Sequence, residues 1–379
     1  MDKNAKISLP AKVARILNTL GGHGYEAYAV GGCVRDSLLG RTPQDWDITT
    51  SARPEQVLEQ YDLEVRAVSK GRESYICDTT QGQLLLKEYK GSAERAEFLS
   101  AILGHLGGQG LLTEQVVRTK EDAPIAVAED ETKYMVLTAV SGSECDTRNR
   151  ADMIAGAEKL AMLHNAAGTY SETVPEFVCN DPNELQELYE KHNRELVKVR
   201  NYIRSKKKKN DFEVLFYGQY ERFMEKARQV AQELSAIGQG GQSAGFCHGD
   251  YNQHNILFSK NGIGIVHFEC FSYQIQVSDL ANYMRKMLEK NNWNTGLGMD
   301  LICAYDRVRR LTAVELNYLY LYMAYPEKFW KIANRYYNTH KAWVSGRNIE
   351  KLEKFIRQED ERERFLEMMR HFTLQPPAS

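Results

Sequence analysis

The sequence predicts an α+β protein of two lobes, a sheet lobe followed by a mainly helical one, with a short extra segment in front. Three observations lead there. Between about residues 63 and 140, short β-prone runs alternate with polar turns. Beyond Gly142 the apolar spacing is almost wholly helical, except around residues 246–268. That exception reads F-C-H-G-D-Y-N-Q-H-N-I-L-F over residues 246–258. Apolar residues bound three reactive side chains there, as in a short loop between buried elements.

The elements follow in order. Val13, Ile16, Leu17 and Leu20 space a short amphipathic helix over 10–20, stopped by Gly21-Gly22. A-Y-A-V-G-G reads as a strand entering a glycine turn, V-R-D-S-L-L-G as a helix and D-W-D-I-T-T as a second strand. R-P-E-Q-V-L opens another helix, with Pro54 in its first turn. L-E-V-R-A-V, S-Y-I-C-D-T and L-L-L-K-E-Y then form an antiparallel meander. A helix over about 93–106 and strands at 115–117, 125–128 and 134–140 complete the sheet lobe. Residues 183–235 read as a helical pair, joined by K-K-K-K-N at 206–210, which is expected to be a solvated tip. The tail Q-P-P-A-S is expected to fray.

Composition excludes several classes. Forty-nine basic and fifty-one acidic residues leave a net charge of −2, so no global field favours nucleic acid or an anionic membrane. The seven cysteines, at 33, 77, 145, 179, 247, 270 and 303, are odd in number and form no C-x-x-C pair. A disulfide framework or zinc site is not expected, and a reducing interior fits better. The first residues lack a signal-peptide core, and no apolar run approaches the ~20 residues that span a bilayer. The chain is expected to be made in the cytosol and to stay there, unless an assembly carries it elsewhere.

His248, Asp250 and Asn255 form H-x-D-x4-N. In phosphoryl transfer such a loop supplies an Asp that accepts the proton of the attacking hydroxyl and an Asn that reaches Mg²⁺. The pattern resembles the catalytic loop of aminoglycoside and choline kinases. That resemblance implies a bilobal protein-kinase-like, aminoglycoside-phosphotransferase-like fold, with ATP and Mg²⁺ as cofactors and Asp250 as the catalytic base. It makes Lys87, at the end of L-L-L-K, the phosphate-gripping lysine, oriented by Glu97 or, one turn away, by Glu94. His164, in A-E-K-L-A-M-L-H, and His248 are expected to be structural. The resembling enzymes carry a metal-binding Asp after the loop, in I-D-F/W. Here the stretch is I-V-H-F-E-C-F, so His267 stands at a degenerate metal position. Imidazole is a poor Mg²⁺ ligand. On a regular strand Glu269 would point to the same side as His267 and substitute for it, beside Asn255. Asp279 is expected to brace the loop.

The wider strings E-Q-Y-D-L-E-V, K-G-R-E-S-Y-I-C, L-L-K-E-Y-K-G, H-N-R-E-L-V-K-V-R-N-Y-I-R, C-H-G-D-Y-N-Q-H-N and L-A-N-Y-M-R-K-M-L-E-K resemble the CotS spore coat family over residues 58–370. That resemblance implies deposition in the spore coat with other coat proteins as partners, and a degenerate ATP/Mg²⁺ site. An active kinase of a small hydroxylated molecule or saccharide is the alternative.

Residues 28–57 resemble the head of tRNA CCA-adding nucleotidyltransferases and bacterial poly(A) polymerases. The resemblance rests on Gly31, Gly32, Arg35, Asp36, Asp45 and Asp47. In that chemistry the glycines approach a triphosphate, and two carboxylates alternating along one strand hold paired Mg²⁺ ions. The likeness ends near Val57, so a truncated fragment (1–57) is expected, followed by the sheet lobe (58–141) and helical lobe (142–379). Nucleotide transfer to RNA through the two aspartates is a third reading. A tRNA partner is not expected, nor is a membrane.

Overall fold

A computed structural model describes residues 7, 9–22, 27–30, 32–38, 41–43, 45–50, 54–71, 74–180, 184–237, 244–338 and 346–372. The chain divides into two compact units, Met1–Gly104 with Glu114–Ala139, and His105–Thr113 with Val140–Ser379.

The first unit opens with α1 (Ala11–Gly22), β1 (Ala27–Val30), α2 (Gly32–Leu38), β2 (Asp47–Thr50) and α3 (Pro54–Leu58). β1 and β2 pair antiparallel, with Val30 opposite Asp47, and among the described residues no third strand joins them. The meander follows as β3 (Val65–Lys70), β4 (Tyr75–Thr79) and β5 (Gly82–Glu88), and then α4 (Ala93–Gly108). After β6 (Leu112–Thr113), which belongs to the second unit, come β7 (Val116–Val117), β8 (Ala126–Val127) and β9 (Lys133–Thr138). They form one sheet in the order β3-β4-β5-β9-β7, with β8 also on β9. Period-two alternation sends Leu84 and Leu86 inward, where they meet Cys77 and Val136. Val57 and Leu58 of α3, with Tyr61, pack into the same core. Each such side chain contributes about 1.5–3 kcal/mol of burial, so the end of α3 is anchored in the sheet unit.

The second unit carries β10 (Ser143–Glu144) and α5 (Arg150–Ala167), whose N-cap Asn149 accepts the Ala151 N–H. Helices α6 (Glu184–Ser205) and α7 (Asp211–Ile237) pack against later helices through an aromatic core that includes Phe212, Phe216, Phe223 and Phe329. Next come β11 (Ala244–Cys247), β12 (Ile256–Ser259), β13 (Gly262–Ile265) and β14 (Ser272–Ile275). The chain ends in α8 (Val277–Lys290), α9 (Thr295–Val308), α10 (Ala313–Ala324), α11 (Glu327–Asn338), α12 (Gly346–Arg357) and α13 (Glu359–Arg370). Strands β10-β12-β13-β6 form one sheet, with β13 and β6 parallel. The strand content of this half extends beyond the expected 246–268. Ser272–Ile275 pairs antiparallel with Ala244–Cys247, a long-range contact that local spacing does not announce.

The lysine run at 206–210 is only partly a solvated tip. Lys207 and Lys208 are exposed, but Lys206 Nζ lies 2.6 Å from the buried Glu213 carboxylate. Asn210 and Glu213 also bond each other's backbone N–H, closing a cap at the start of α7.

Candidate functional site

The loop after β11 turns on Gly249, whose φ is +82°. A Cβ at that position would lie 2.0 Å from the Cys270 carbonyl oxygen, so only glycine fits. His248 beside it is buried, with Nε2 2.9 Å from the Val266 carbonyl and its ring against Phe268. Asp279, in the first turn of α8, is fully buried and braces the loop. One carboxylate oxygen accepts the His248 N–H at 2.6 Å, and the other accepts the Gly249 N–H at 3.0 Å.

His164 of α5 completes the brace. Its Nε2 lies 3.3 Å from Asp279 Oδ2 and its Nδ1 2.6 Å from the Tyr305 hydroxyl. Burial lowers the His164 pKa against the opposing pull of Asp279, which keeps the ring neutral at pH 7. Nε2–H then donates to the carboxylate, and Nδ1 accepts from Tyr305. Cys247 brings its sulfur into the same cluster, with donor atoms of the three residues within 4.8 Å. Burial raises that thiol well above its usual range, and both Asp279 oxygens are already committed to loop N–H groups. The cluster is a structural brace.

Asp250 points outward, its side chain half exposed, with Oδ1 3.2 Å from Lys286 Nζ of α8. Its backbone carbonyl gathers the amides of Asn252 and Asn255 at 2.9 and 2.8 Å. Asn255 thereby commits the donor end of its amide to the loop.

His267 does not stand on a strand. β13 ends at Ile265, and His267 adopts φ 69° and ψ 57°, the left-handed region, at the head of the 3₁₀ turn Phe268–Cys270. Strand alternation therefore does not place Glu269. The tight turn does, bringing Glu269 Oε1 3.8 Å from His267 Nδ1. Both side chains are partly exposed. Asn255 and Glu269 offer oxygen donors in this unit, with an imidazole at the third position, and Mg²⁺ prefers oxygen.

In the first unit, Lys87 is buried on β5 opposite Met135. Among the described residues, a carboxylate that lies near it is that of Glu114, 4.0 Å away and also buried. Glu97, the expected partner, instead forms an exposed pair with Arg118 at 2.9 Å. Glu94's own backbone N–H, and then the Ser92 hydroxyl, hold its carboxyl below the usual range. Sequence spacing missed Glu114, which tertiary packing alone brings to Lys87. Lys286 was also missed, although Asp279 and Lys286 lie seven apart, on one helical face.

In the front segment, Gly31 and the Asp47 side chain lie outside the described residues. Asp45 sits in an exposed bend before β2 rather than on it, so the two aspartates do not alternate along one strand. Gly32 opens α2, and Arg35 pairs with its neighbour Asp36 at 2.9 Å. Among the described residues, no helix is long and apolar enough to cross a membrane.

Comparison with known proteins bears on the family and the fold. The family model described as "Spore coat putative kinase YutH" matches residues 54–369. Spore coat protein S of Bacillus subtilis (strain 168) is 22% identical over 334 residues, covering 83% of this chain and 93% of that protein. The crystal structure of an aminoglycoside phosphotransferase from Alicyclobacillus acidocaldarius superposes with a TM-score of 0.74 at 21% identity, over 88% of this chain and 98% of that one. Poly(A) polymerase I of Haemophilus influenzae is 46% identical over 55 residues, 14% of this chain and 12% of the polymerase. The chain thus spans about an eighth of that enzyme, and its fold is that of the aminoglycoside phosphotransferases. It belongs to the spore coat kinase-like family that the matching model describes.

Proposed function

We propose that this family member is a spore coat component, deposited among other coat proteins, whose phosphotransferase-like site binds nucleotide with little help from Mg²⁺ and transfers phosphoryl groups slowly or not at all. The observation that carries the reading is His267. An imidazole occupies the position where the resembling enzymes place a metal-binding Asp, with the Glu269 carboxylate 3.8 Å from its Nδ1. A hard divalent cation prefers oxygen, so the charge that would bridge the β- and γ-phosphates is poorly held. Lys87 is the phosphate contact in this reading.

Titration with ATP tests it. Affinity is expected to change less than threefold when Mg²⁺ replaces EDTA, and a tenfold tightening by Mg²⁺ overturns the degenerate site. Recovery of the chain in the coat fraction of purified spores checks the location, and its absence there removes the coat assignment.

A second reading, an ATP-dependent kinase of a small hydroxylated molecule or saccharide, is favoured by one observation. The loop that positions Asp250 is built and braced as a working loop would be, by Asp279 on two backbone N–H groups. Turnover abolished by Asp250→Asn would establish it. The front segment carries no nucleotidyl transfer in either reading. Incorporation of CMP or AMP into tRNA, lost on Asp47→Ala, would overturn that.

A further inference from the structure

Three helices of the second unit converge on a cavity of about 430 Å³. Each aims one helical stripe at it. α8 supplies Arg285 and Lys286, one turn before Glu289. α11 supplies Lys328, Lys331 and Arg335, and α12 supplies Lys351 and Lys354. Among the described residues, only Glu289 and Glu327 oppose these seven cations on the cavity wall. Both are already engaged. Glu327 pairs with Arg285 and with Lys331, the latter at 2.7 Å, and Glu289 pairs with Lys328 at 2.7 Å.

The remaining positive charge is crowded. The charges that act on Lys351 are themselves positive, coming from Arg335, Arg347 and Lys328. Desolvation, with the Arg285 guanidinium beside it, pushes Lys331 down to about 8, although 57% of its side chain stays open to solvent. A chance solvated face would spread such charges outward and apart. Here the stripes converge, and the repulsion among them falls when an anion enters.

We propose that this cavity is a binding site for a small molecule carrying two or more oxyanion groups. The volume suits such a ligand, falling within the range of small-molecule pockets. Guanidinium and ammonium groups arrayed around it match phosphate or carboxylate oxygens. The site also adjoins the candidate base. Lys286 lines the cavity and holds Asp250 Oδ1 at 3.2 Å, so an anion bound there lies one side chain from Asp250. The inference requires no turnover, and goes beyond the nucleotide-binding reading.

Calorimetric titration of the full chain with inorganic tripolyphosphate, and separately with citrate, tests it. Binding of tripolyphosphate is expected at low salt, weakening as salt rises. Lys351→Glu combined with Lys354→Glu is expected to weaken it at least tenfold, and the neutral pair Lys351→Gln with Lys354→Gln by less. Lys87→Met, which alters the nucleotide contact, is expected to leave it unchanged under conditions where circular dichroism shows the variant folded. Citrate binding with the same variant dependence extends the site to carboxylates, and its absence assigns the site to phosphates. No tripolyphosphate binding at low salt overturns the proposal. So does binding that survives both charge-altered pairs, or binding that Lys87→Met removes. The last outcome leaves the nucleotide reading intact and assigns the anion to it.

Discussion

His267 and Glu269 face each other across a single 3₁₀ turn, Nδ1 to Oε1 3.8 Å, because His267 takes the left-handed backbone conformation. Non-glycine residues rarely adopt it, and Asn, Asp and His do so most readily. An Asp therefore fits the His267 backbone without new strain. His267→Asp is expected to add a carboxylate beside Glu269 and Asn255 and to tighten Mg²⁺-dependent ATP binding by about tenfold, roughly 1.4 kcal/mol. Glu269→Gln in the unaltered protein is expected to have little effect. If it abolishes Mg²⁺-dependent ATP binding, Glu269 is the substitute ligand and the degenerate-site reading fails.

The brace beneath the loop has a different energetic signature. Asp279 is fully buried, and its two oxygens accept two backbone N–H groups and face His164. Hydrogen bonds to a charged group contribute about 1.5–3 kcal/mol each, and stranded donors add a desolvation cost. Asp279→Ala is expected to destabilise the fold by about 3 kcal/mol or more in urea unfolding. A loss under 1 kcal/mol would show that the loop keeps its shape without the brace.

These two positions mark what the sequence does and does not reveal. H-x-D-x4-N is legible because its spacing and apolar flanks survive in one dimension. Asp279 is legible from its resemblance to a loop-bracing aspartate, and a seven-residue step along α8 would have led to Lys286. The left-handed turn at His267 is not legible, since I-V-H-F-E reads as a strand until the chain is seen to turn at residue 267. Nor is the pairing of Lys87 with Glu114, which joins residues from different parts of the first unit. Likewise β14 becomes a strand only through its long-range partner β11.

That buried pair can be separated from the expected one by mutation. Lys87 and Glu114 are both buried, so removing either partner takes a nearby opposite charge away from a buried one. Lys87→Met or Glu114→Gln alone is expected to cost about 3–5 kcal/mol, and the double variant less than the sum of the two. Glu97→Gln, which breaks only an exposed pair with Arg118, is expected to cost at most about 1 kcal/mol. Urea denaturation of the four variants decides. A larger loss for Glu97→Gln than for Glu114→Gln would return Glu97 to the role of the lysine's partner.

Acid sensitivity provides a further test, in the helical unit. His192 of α6 is 3% exposed, and its ring stacks on Trp330 with centroids 3.4 Å apart. Desolvation lowers its pKa to about 4, against a value near 6.5 in the unfolded chain. Below pH 6.5 the unfolded chain takes up a proton that the folded protein refuses until about pH 4. Stability is therefore full above pH 6.5 and falls as pH drops through that window. The drop from 6.5 to about 4, at ~1.36 kcal/mol per tenfold change in proton affinity, sets an upper limit of roughly 3–4 kcal/mol. Burial lowers His164 as well, and it acts in the same direction. His192→Phe keeps an aromatic ring on Trp330 and removes the titration, so the loss of stability between pH 7 and pH 5 is expected to shrink. Urea midpoints of both proteins at the two pH values measure the difference. Equal losses in the variant and the unaltered protein would mean that His192 takes up its proton in the folded state as readily as in the unfolded chain.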